Sequence, residues 1–102
     1  MTKRVACELE CSYRDLDNPK AQPSRSVAIK DISLGGMKIR TNKFIPVNHR
    51  MMVAFNLPKR STIETKAAPV WVAEIPNIDC FDLGVRFLEM SHEAKKALQS
   101  YL

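Results

Sequence analysis

The sequence predicts an all-β domain with one helix, in which a six-stranded antiparallel β-barrel is followed by a C-terminal α-helix. Six short segments alternate apolar and polar residues with a period of two, as half-buried strands do. Residues typical of turns separate these segments at the spacing found in small barrels. The final segment, residues 91–102, changes to the period of an amphipathic helix.

The first half of the chain supplies three of these strands. Residues 4–13, RVACELECSY, are apolar at every second position, which predicts a half-buried strand. Residues 14–25 are rich in Asp, Asn, Pro and Ser and have no apolar periodicity, so we expect a loop. A second strand begins at Val27, and a third contains Met37 and Ile39.

The second half supplies the other three strands. A loop over residues 42–50 leads into a fourth strand over residues 51–57, which again alternate. Residues 62–75 form one long extended segment, and Pro69 within it predicts a bulge or an edge position because proline has no N–H to donate. Residues 80–90 carry the last strand.

The helix begins after Ser91, whose side chain is a favoured N-cap. Its apolar residues recur at helical spacing, and the stripe that they form should lie on the barrel. These residues are Ala94, Ala97, Leu98, Tyr101 and Leu102.

Length and hydropathy predict a single domain over residues 1–102. No apolar run approaches the roughly 18 residues of a membrane-spanning helix. Glu8 and Glu10 interrupt the apolar region that a signal peptide requires. We therefore expect a cytoplasmic protein without a membrane span.

The three cysteines do not predict a disulfide or a metal site. Cys7 and Cys11 are four residues apart along one predicted strand, about 13 Å, which is beyond disulfide reach. Cys80, His49 and His92 complete no ligand spacing. We interpret the cysteines as small buried hydrophobic residues and expect no metal.

Charge and motif content narrow the function classes. The chain has 16 Lys and Arg against 11 Asp and Glu, a net charge of +5, which mildly favours anionic partners. The basic residues are scattered, so we do not expect polymeric nucleic acid as a partner. Neither a catalytic nucleophile with its base nor a phosphate-binding glycine loop is evident, so we expect neither an enzyme nor a cofactor.

Residues 30–39, KDISLGGMKI, interrupt two strand-like stretches and allow two interpretations. They can form a bulge or tight turn, in which Gly takes a positive φ. Alternatively, Asp31 and Ser33 project from one face of an extended chain as an acceptor and a donor, and Gly36 admits a ligand or another backbone. Such polar groups suit the edge of a guanine base.

The segment DISLGG matches the Asp/Asn-x-Ser-x-x-Gly signature of PilZ domains at Asp31, Ser33 and Gly36. Because the signature follows an amphipathic strand and precedes a strand and a helix, the resemblance is fairly specific and covers nearly the whole chain. Three further segments resemble the family's first strand, its long late strand and its last strand: RVACELECSY, VWV at 70–72 and LGVRFLEM at 83–90.

The resemblance implies a six-stranded barrel that binds the bacterial second messenger cyclic di-GMP. Members that bind it combine the signature with an Arg-x-x-x-Arg motif just before the first strand. Arg4 corresponds to the second arginine, whereas the first would fall one place before Met1, so that half of a phosphate clamp is lost or lies further upstream. Lys3 adds positive charge but lacks the planar fork of arginine. The expected ligand-binding residues are Arg4, Asp31, Ser33, Gly36 and Lys3.

Two hypotheses follow for the function. The first is a cyclic di-GMP receptor or adaptor that responds to the messenger by changing its contact with an effector protein. The alternative is a PilZ-like protein-interaction domain that has lost nucleotide binding. The intact Asp31 and Ser33 favour the first, and the departure at the Arg-x-x-x-Arg motif favours the second.

Overall fold

The structure, a computed structural model, describes residues 5–18, 20, 22–25, 28–58 and 62–102, with the side chains of 5–8 and 25 excepted. Within these residues the chain forms eight β-strands and one α-helix. The elements are β1 (Val5–Leu9), β2 (Cys11–Asp15), β3 (Ser24–Arg25), β4 (Ala28–Ile32), β5 (Gly36–Thr41), β6 (Met51–Asn56), β7 (Thr62–Glu74), β8 (Phe81–Glu89) and α1 (His92–Tyr101).

The strands form one antiparallel sheet, and the chain segment that contains β1 and β2 connects its two sides. The strand order is β1-β4-β5-β8-β7-β6-β2-β3. β1 and β2 lie near opposite ends of this order, yet only Glu10 separates them in the chain. The covalent link between them therefore joins the two sides of the sheet into a barrel. The six predicted strands are confirmed, with β1 and β2 together as the first of them.

Residues 4–13 were predicted as one continuous strand, and this prediction is wrong at Glu10. β1 pairs with β4, whereas β2 begins at Cys11 and pairs with β6. The chain changes partners at a corner of the barrel, which an alternating pattern does not reveal. The predicted loop over residues 14–25 is also shorter than expected, because β2 continues to Asp15 and the two-residue strand β3 pairs with β2.

The barrel interior holds the apolar residues that alternate along the strands. On β6, for example, Met51, Val53 and Phe55 are all buried. Burial of a side chain of this size contributes about 1.5–3 kcal/mol to folding. The core cluster also contains Cys11, Tyr13, Ile29, Ile32, Met37, Ile39, Ile45, Leu57, Ile63, Ala67, Leu83, Val85 and Leu98.

Pro69 lies in the interior of β7, opposite β8 and beyond the residues that pair with β6, at a break in the register. Pro69 is opposite Val85, whereas Trp71 is opposite Gly84, so Val70 is an extra residue. The bulge accommodates a residue that cannot donate to the strand ladder. The carbonyl of Pro69 accepts a hydrogen bond from the Asn48 N–H at 3.0 Å. The predicted bulge is therefore confirmed.

The C-terminal helix begins and packs as the sequence predicts. The side chain of Ser91 accepts a hydrogen bond from the Ala94 N–H at 3.1 Å, which caps the first turn. Leu98 is fully buried, and the other residues of the apolar stripe pack against the core cluster. In the described part of the chain, no helix combines the length and the apolar character needed to cross a membrane.

The cysteines differ from one another in burial. Cys11 is buried on β2, as expected. Cys80 is only half-buried, because it lies in the connection between β7 and β8 at the end of the barrel, so the expectation that it is a core residue is wrong. The side chain of Cys7 lies outside the described residues.

Two side-chain contacts join the end of β2 and the residues after it to the segment before β6. His49 Nδ1 lies 3.0 Å from an Asp15 carboxylate oxygen, and Arg50 donates to Asp17 at 2.8 Å. Asp15 and His49 are far apart in the sequence, but the antiparallel register places Asp15 opposite Met51, close to the histidine. The ligand atoms of Asp15, Asp17 and His49 lie within 4.8 Å of one another, and these contacts explain their grouping.

The Asp17 pair predicts an acid-dependent weakening of this connection. Hydrogen bonds from Arg50 lower the pKa of Asp17 below its ordinary value of 3.8. A carboxyl whose pKa is lowered in the folded protein stabilises the fold at pH values above its ordinary pKa. That contribution disappears as the pH falls through the lowered pKa. In a carboxyl ¹³C titration we therefore expect a midpoint below 3.8 for Asp17 and a return towards 3.8 in Arg50→Gln.

Arg14→Gln is the matched control for this titration. Arg14 is exposed on β2, and its replacement removes the same charge as Arg50→Gln does. It should leave the midpoint of Asp17 unchanged. A wild-type midpoint at or above 3.8, or equal midpoints in wild type and Arg50→Gln, would contradict the ion pair.

Candidate functional site

The segment KDISLGGMKI joins β4 to β5 and contains a β-bulge at Lys30. Ile29 is opposite Ile39 and Asp31 is opposite Lys38, so two steps along β4 correspond to one step along β5. Lys30 is therefore the extra residue. The pairing of β4 with β1 is also irregular at this point, because Ala6 is opposite Asp31 and Leu9 is opposite Ile29.

The bulge determines which way Asp31 faces. Ile29 and Ile32 are both fully buried although they are three residues apart. In a regular strand residues two apart share a face, which would place Asp31 beside Ile29 in the core. With Lys30 inserted, Asp31 instead lies on the outer face and is partly exposed.

A tight turn follows, and Ser33 holds it together. The Ser33 N–H donates to the Gly36 carbonyl at 2.8 Å, and its hydroxyl donates to the same carbonyl at 3.2 Å. The hydroxyl also accepts from the Gly35 N–H at 3.3 Å. Ser33 is only 3% exposed, and its hydroxyl is directed into the turn. The alternating pattern had predicted that it would lie beside Asp31 on the outer face.

Gly36 is required by a close approach of β8. A Cβ atom added there would overlap the Val85 carbonyl oxygen and lie 3.1 Å from the Arg86 Cα. The neighbouring Gly35 has open space, and its carbonyl accepts a hydrogen bond from the Phe87 N–H at 2.9 Å. No glycine in the described residues has a positive φ, so the expectation that glycine supplies one here is wrong. Both structural elements considered for this segment, a bulge and a tight turn, are present.

The register places Asp31 at one end of a row of residues that crosses the outer face of four strands. Asp31 is opposite Lys38, Lys38 is opposite Gly84, and Gly84 is opposite Trp71. Directly opposite residues in an antiparallel pair point to the same face. We call Asp31, Lys38, Gly84 and Trp71 the outer row.

Trp71 covers Gly84 within the outer row. A Cβ at Gly84 would overlap the indole ring, so the ring lies directly against the backbone of β8. The side chain is nevertheless 42% exposed. An indole that is supported from below and open above offers a stacking surface for a planar ring.

Cations flank the outer row. Lys38 lies within it, Arg86 is exposed on β8, and Arg40 lies on β5. Arg40 is already paired, because its guanidinium donates to Asp82 at 3.0 Å, and this hydrogen bond raises the pKa of Arg40 above its ordinary value. Lys38 and Arg86, in contrast, take part in none of the ion pairs found among the described residues, and they leave positive charge on this face.

The predicted site residues divide into two groups. Asp31, Ser33 and Gly36 lie together at the β4–β5 turn. Arg4 and Lys3 lie outside the described residues, as does Val27 of the second predicted strand. The ligand contacts expected of all five site residues stay predictions.

Sequence reasoning missed the contributions of Lys38 and Trp71 to this face. The alternation in GMKIRT, with Met37 and Ile39 apolar, was a usable signal for an outward Lys38. The bulge at Val70 determines that Trp71 faces outward, and a local pattern does not reveal this. Arg86 alternates with apolar neighbours in GVRF, a pattern that indicates an outward side chain, and it is exposed.

In the part of the chain that the structure describes, the outer row lies on the outside of the sheet, away from the pockets. A pocket of about 300 Å³ is formed elsewhere, by residues of β2, β6 and β7 with Glu10. It is lined by Cys11, Phe55, Asn56 and Thr62, among others, and none of the strands that form it carries Asp31. A ligand of the outer row would therefore lie across the sheet.

Comparison with known proteins gives a family and a set of similar folds. The sequence model of the PilZ domain matches residues 1–102. No curated protein matches the sequence significantly.

Several solved structures share the fold at low sequence identity. The Bacillus subtilis inhibitor of motility MotI/DgrA superposes with a TM-score of 0.81 at 18% identity, over 99% of this chain and 48% of that one. The PilZ domain of Escherichia coli YcgR with c-di-GMP gives 0.73 at 22% identity, over 96% and 84%. Apo MrkH of K. pneumonia gives 0.76 at 17% identity, over 98% and 47%. The chain spans about half the length of MotI and of MrkH.

The two glycines of the turn provide a matched test of its packing. Gly36→Ala should destabilise the protein by about 1–3 kcal/mol, because the methyl group forces β5 and β8 apart. Gly35→Ala should be neutral or stabilise by up to about 1 kcal/mol, since its site is open and its φ is not positive. Urea denaturation monitored by tryptophan fluorescence measures both. Equal midpoints for the two variants would contradict the close approach.

Proposed function

The chain belongs to the PilZ domain family, and from this premise we propose that it is a receptor for cyclic di-GMP that binds the messenger across the outer row. The observation that carries the proposal is the outward position of Asp31, which the bulge at Lys30 turns out of the core and towards Lys38. An acidic side chain presented on an open face beside a cation and an exposed indole suits a ligand that has both a base and a phosphate.

The chemistry of guanine fits the Asp31 end of the outer row. The ring N–H and the exocyclic amine of guanine are adjacent donors, and a carboxylate accepts from both in a bidentate arrangement. Lys38 supplies a positive charge for the phosphates, and the indole of Trp71 offers a face on which a purine can stack. Each of these interactions uses an atom that is exposed on one side of the barrel.

The remaining signature residues have different proposed roles. Ser33 fixes the turn behind Asp31, and a direct contact to the ligand would require its hydroxyl to leave the Gly36 carbonyl. For Arg4 and Lys3 we propose phosphate contacts. Their neighbour in the sequence, Val5, is paired with Ile32 at the base of the turn.

The output that we propose is a ligand-dependent contact with an effector protein. A single binding domain changes its partner by presenting a different surface when the ligand is bound. The similar folds include a protein described as an inhibitor of motility and one described with c-di-GMP bound. We further propose that the domain acts in the cytoplasm as a binding module and not as an enzyme.

One observation favours the alternative, a PilZ domain that contacts proteins without binding nucleotide. The fold itself uses two of the three signature residues, since Ser33 bonds the turn and Gly36 admits β8. These residues would therefore be needed without any ligand. Asp31 is the signature residue whose outward placement distinguishes the two functions.

Calorimetric titration of cyclic di-GMP into this chain tests the proposal. We expect saturable binding, and a loss of about 10- to 100-fold in affinity for Asp31→Ala, because a charge-assisted hydrogen bond contributes about 1.5–3 kcal/mol. Asp79→Ala is the matched control, since Asp79 is exposed in the turn between β7 and β8, and it should bind like wild type.

Two results would decide against this function. If high-micromolar ligand gives no saturable heat with the wild-type chain, the alternative is favoured. If Asp31→Ala and Asp79→Ala bind equally well, the messenger binds elsewhere and the outer row is not its site.

A further inference from the structure

We propose that Arg86 is a phosphate-binding residue of this face, contributed by the sheet itself and independent of the N-terminal segment. The inference rests on the proposed function and extends it, because it names which charged group of β8 contacts the phosphodiester. The signature of the β4–β5 turn does not include Arg86, and the cross-strand register assigns it to the site.

The backbone of Arg86 is held against the turn. Arg86 is directly opposite Gly36, the first residue of β5, and the next residue, Phe87, donates its N–H to the Gly35 carbonyl at 2.9 Å. The close packing of Gly36 against Val85 and Arg86 fixes the distance between the strands. The side chain of Arg86 therefore starts from a point that is fixed relative to Asp31.

Arg86 also differs from Arg40 and Arg50, which both form ion pairs. Arg40 is paired with Asp82 and Arg50 with Asp17. Among the residues that the structure describes, no carboxylate forms an ion pair with Arg86, and its side chain is exposed. Its guanidinium can therefore bind an external anion without breaking an internal contact.

Two glycines lie beside Arg86 on the outer face. Gly36 opposite it has no side chain, and Gly84 two residues before it lies under the indole of Trp71. Asp31 is two strands away, roughly 10 Å across the sheet. A guanine held at Asp31 can thus extend its phosphodiester over this surface towards the guanidinium, whose planar fork binds two phosphate oxygens at once.

The test compares Arg86→Gln with Arg86→Lys, with Arg14→Gln as the matched control. Arg14 is an exposed arginine on β2, a strand that contributes nothing to the outer row. Arg14→Gln and Arg86→Gln each remove one positive charge. Cyclic di-GMP is titrated calorimetrically into each full chain in low and in high KCl. Circular dichroism and the urea midpoint establish that each variant is folded.

We expect Arg86→Gln to bind about 10- to 100-fold more weakly than wild type at low salt, with a smaller dependence on KCl, because one screened charge contact is lost. Arg86→Lys should fall between them, since it keeps the charge and loses the fork. Arg14→Gln should match wild type. If Arg86→Gln does not fold, the lysine variant with its retained charge carries the comparison.

The outcomes separate this inference from the proposed function. In one outcome, wild type binds, and both Arg86 variants bind as tightly as wild type with the same salt dependence. Arg86 is then a solvated surface charge and the inference is wrong, while the receptor function stands. If Arg86→Gln and Arg14→Gln weaken binding equally, the effect comes from net charge, which also overturns the inference. If wild type does not bind, the proposed function and the inference fall together.

Discussion

The burial of two isoleucines three residues apart is the constraint on which this face of the barrel depends. Ile29 and Ile32 are both fully buried, and a regular strand cannot direct both inwards. Inserting Lys30 as a bulge resolves the conflict and fixes the register of β4 against β5. Asp31 lies between the two isoleucines, so the same insertion directs its carboxylate to the outside.

Downstream of the bulge, the fold and the candidate site use the same few residues. Ser33 closes the turn through the Gly36 carbonyl, and Gly36 allows β8 to approach. The approach of β8 in turn places Gly84, and the indole of Trp71 above it, in line with Asp31. A short signature with structural roles in the turn can therefore also determine the shape of a binding surface several strands wide.

The sequence predicts most of the fold but only part of the site. Period-two alternation identifies all six strands, and the change of period with a capping Ser91 identifies the helix. The break at Glu10 was missed because it reflects a change of strand partner, which a local pattern does not contain. For the same reason, the outward position of Trp71 and the contact between Asp15 and His49 depend on register. Asp31 was identified by its family signature, whereas its neighbours in the outer row required the sheet topology.

The most direct test of the account is an NMR titration of the ¹⁵N-labelled chain with cyclic di-GMP, in which both backbone amides and the Trp71 indole N–H are followed. The account predicts that the shifts concentrate at Asp31, Lys38, Gly84, the Trp71 indole and Arg86, on one side of the barrel. Shifts confined to the pocket formed by β2, β6 and β7, or no shifts at saturating ligand, would contradict it.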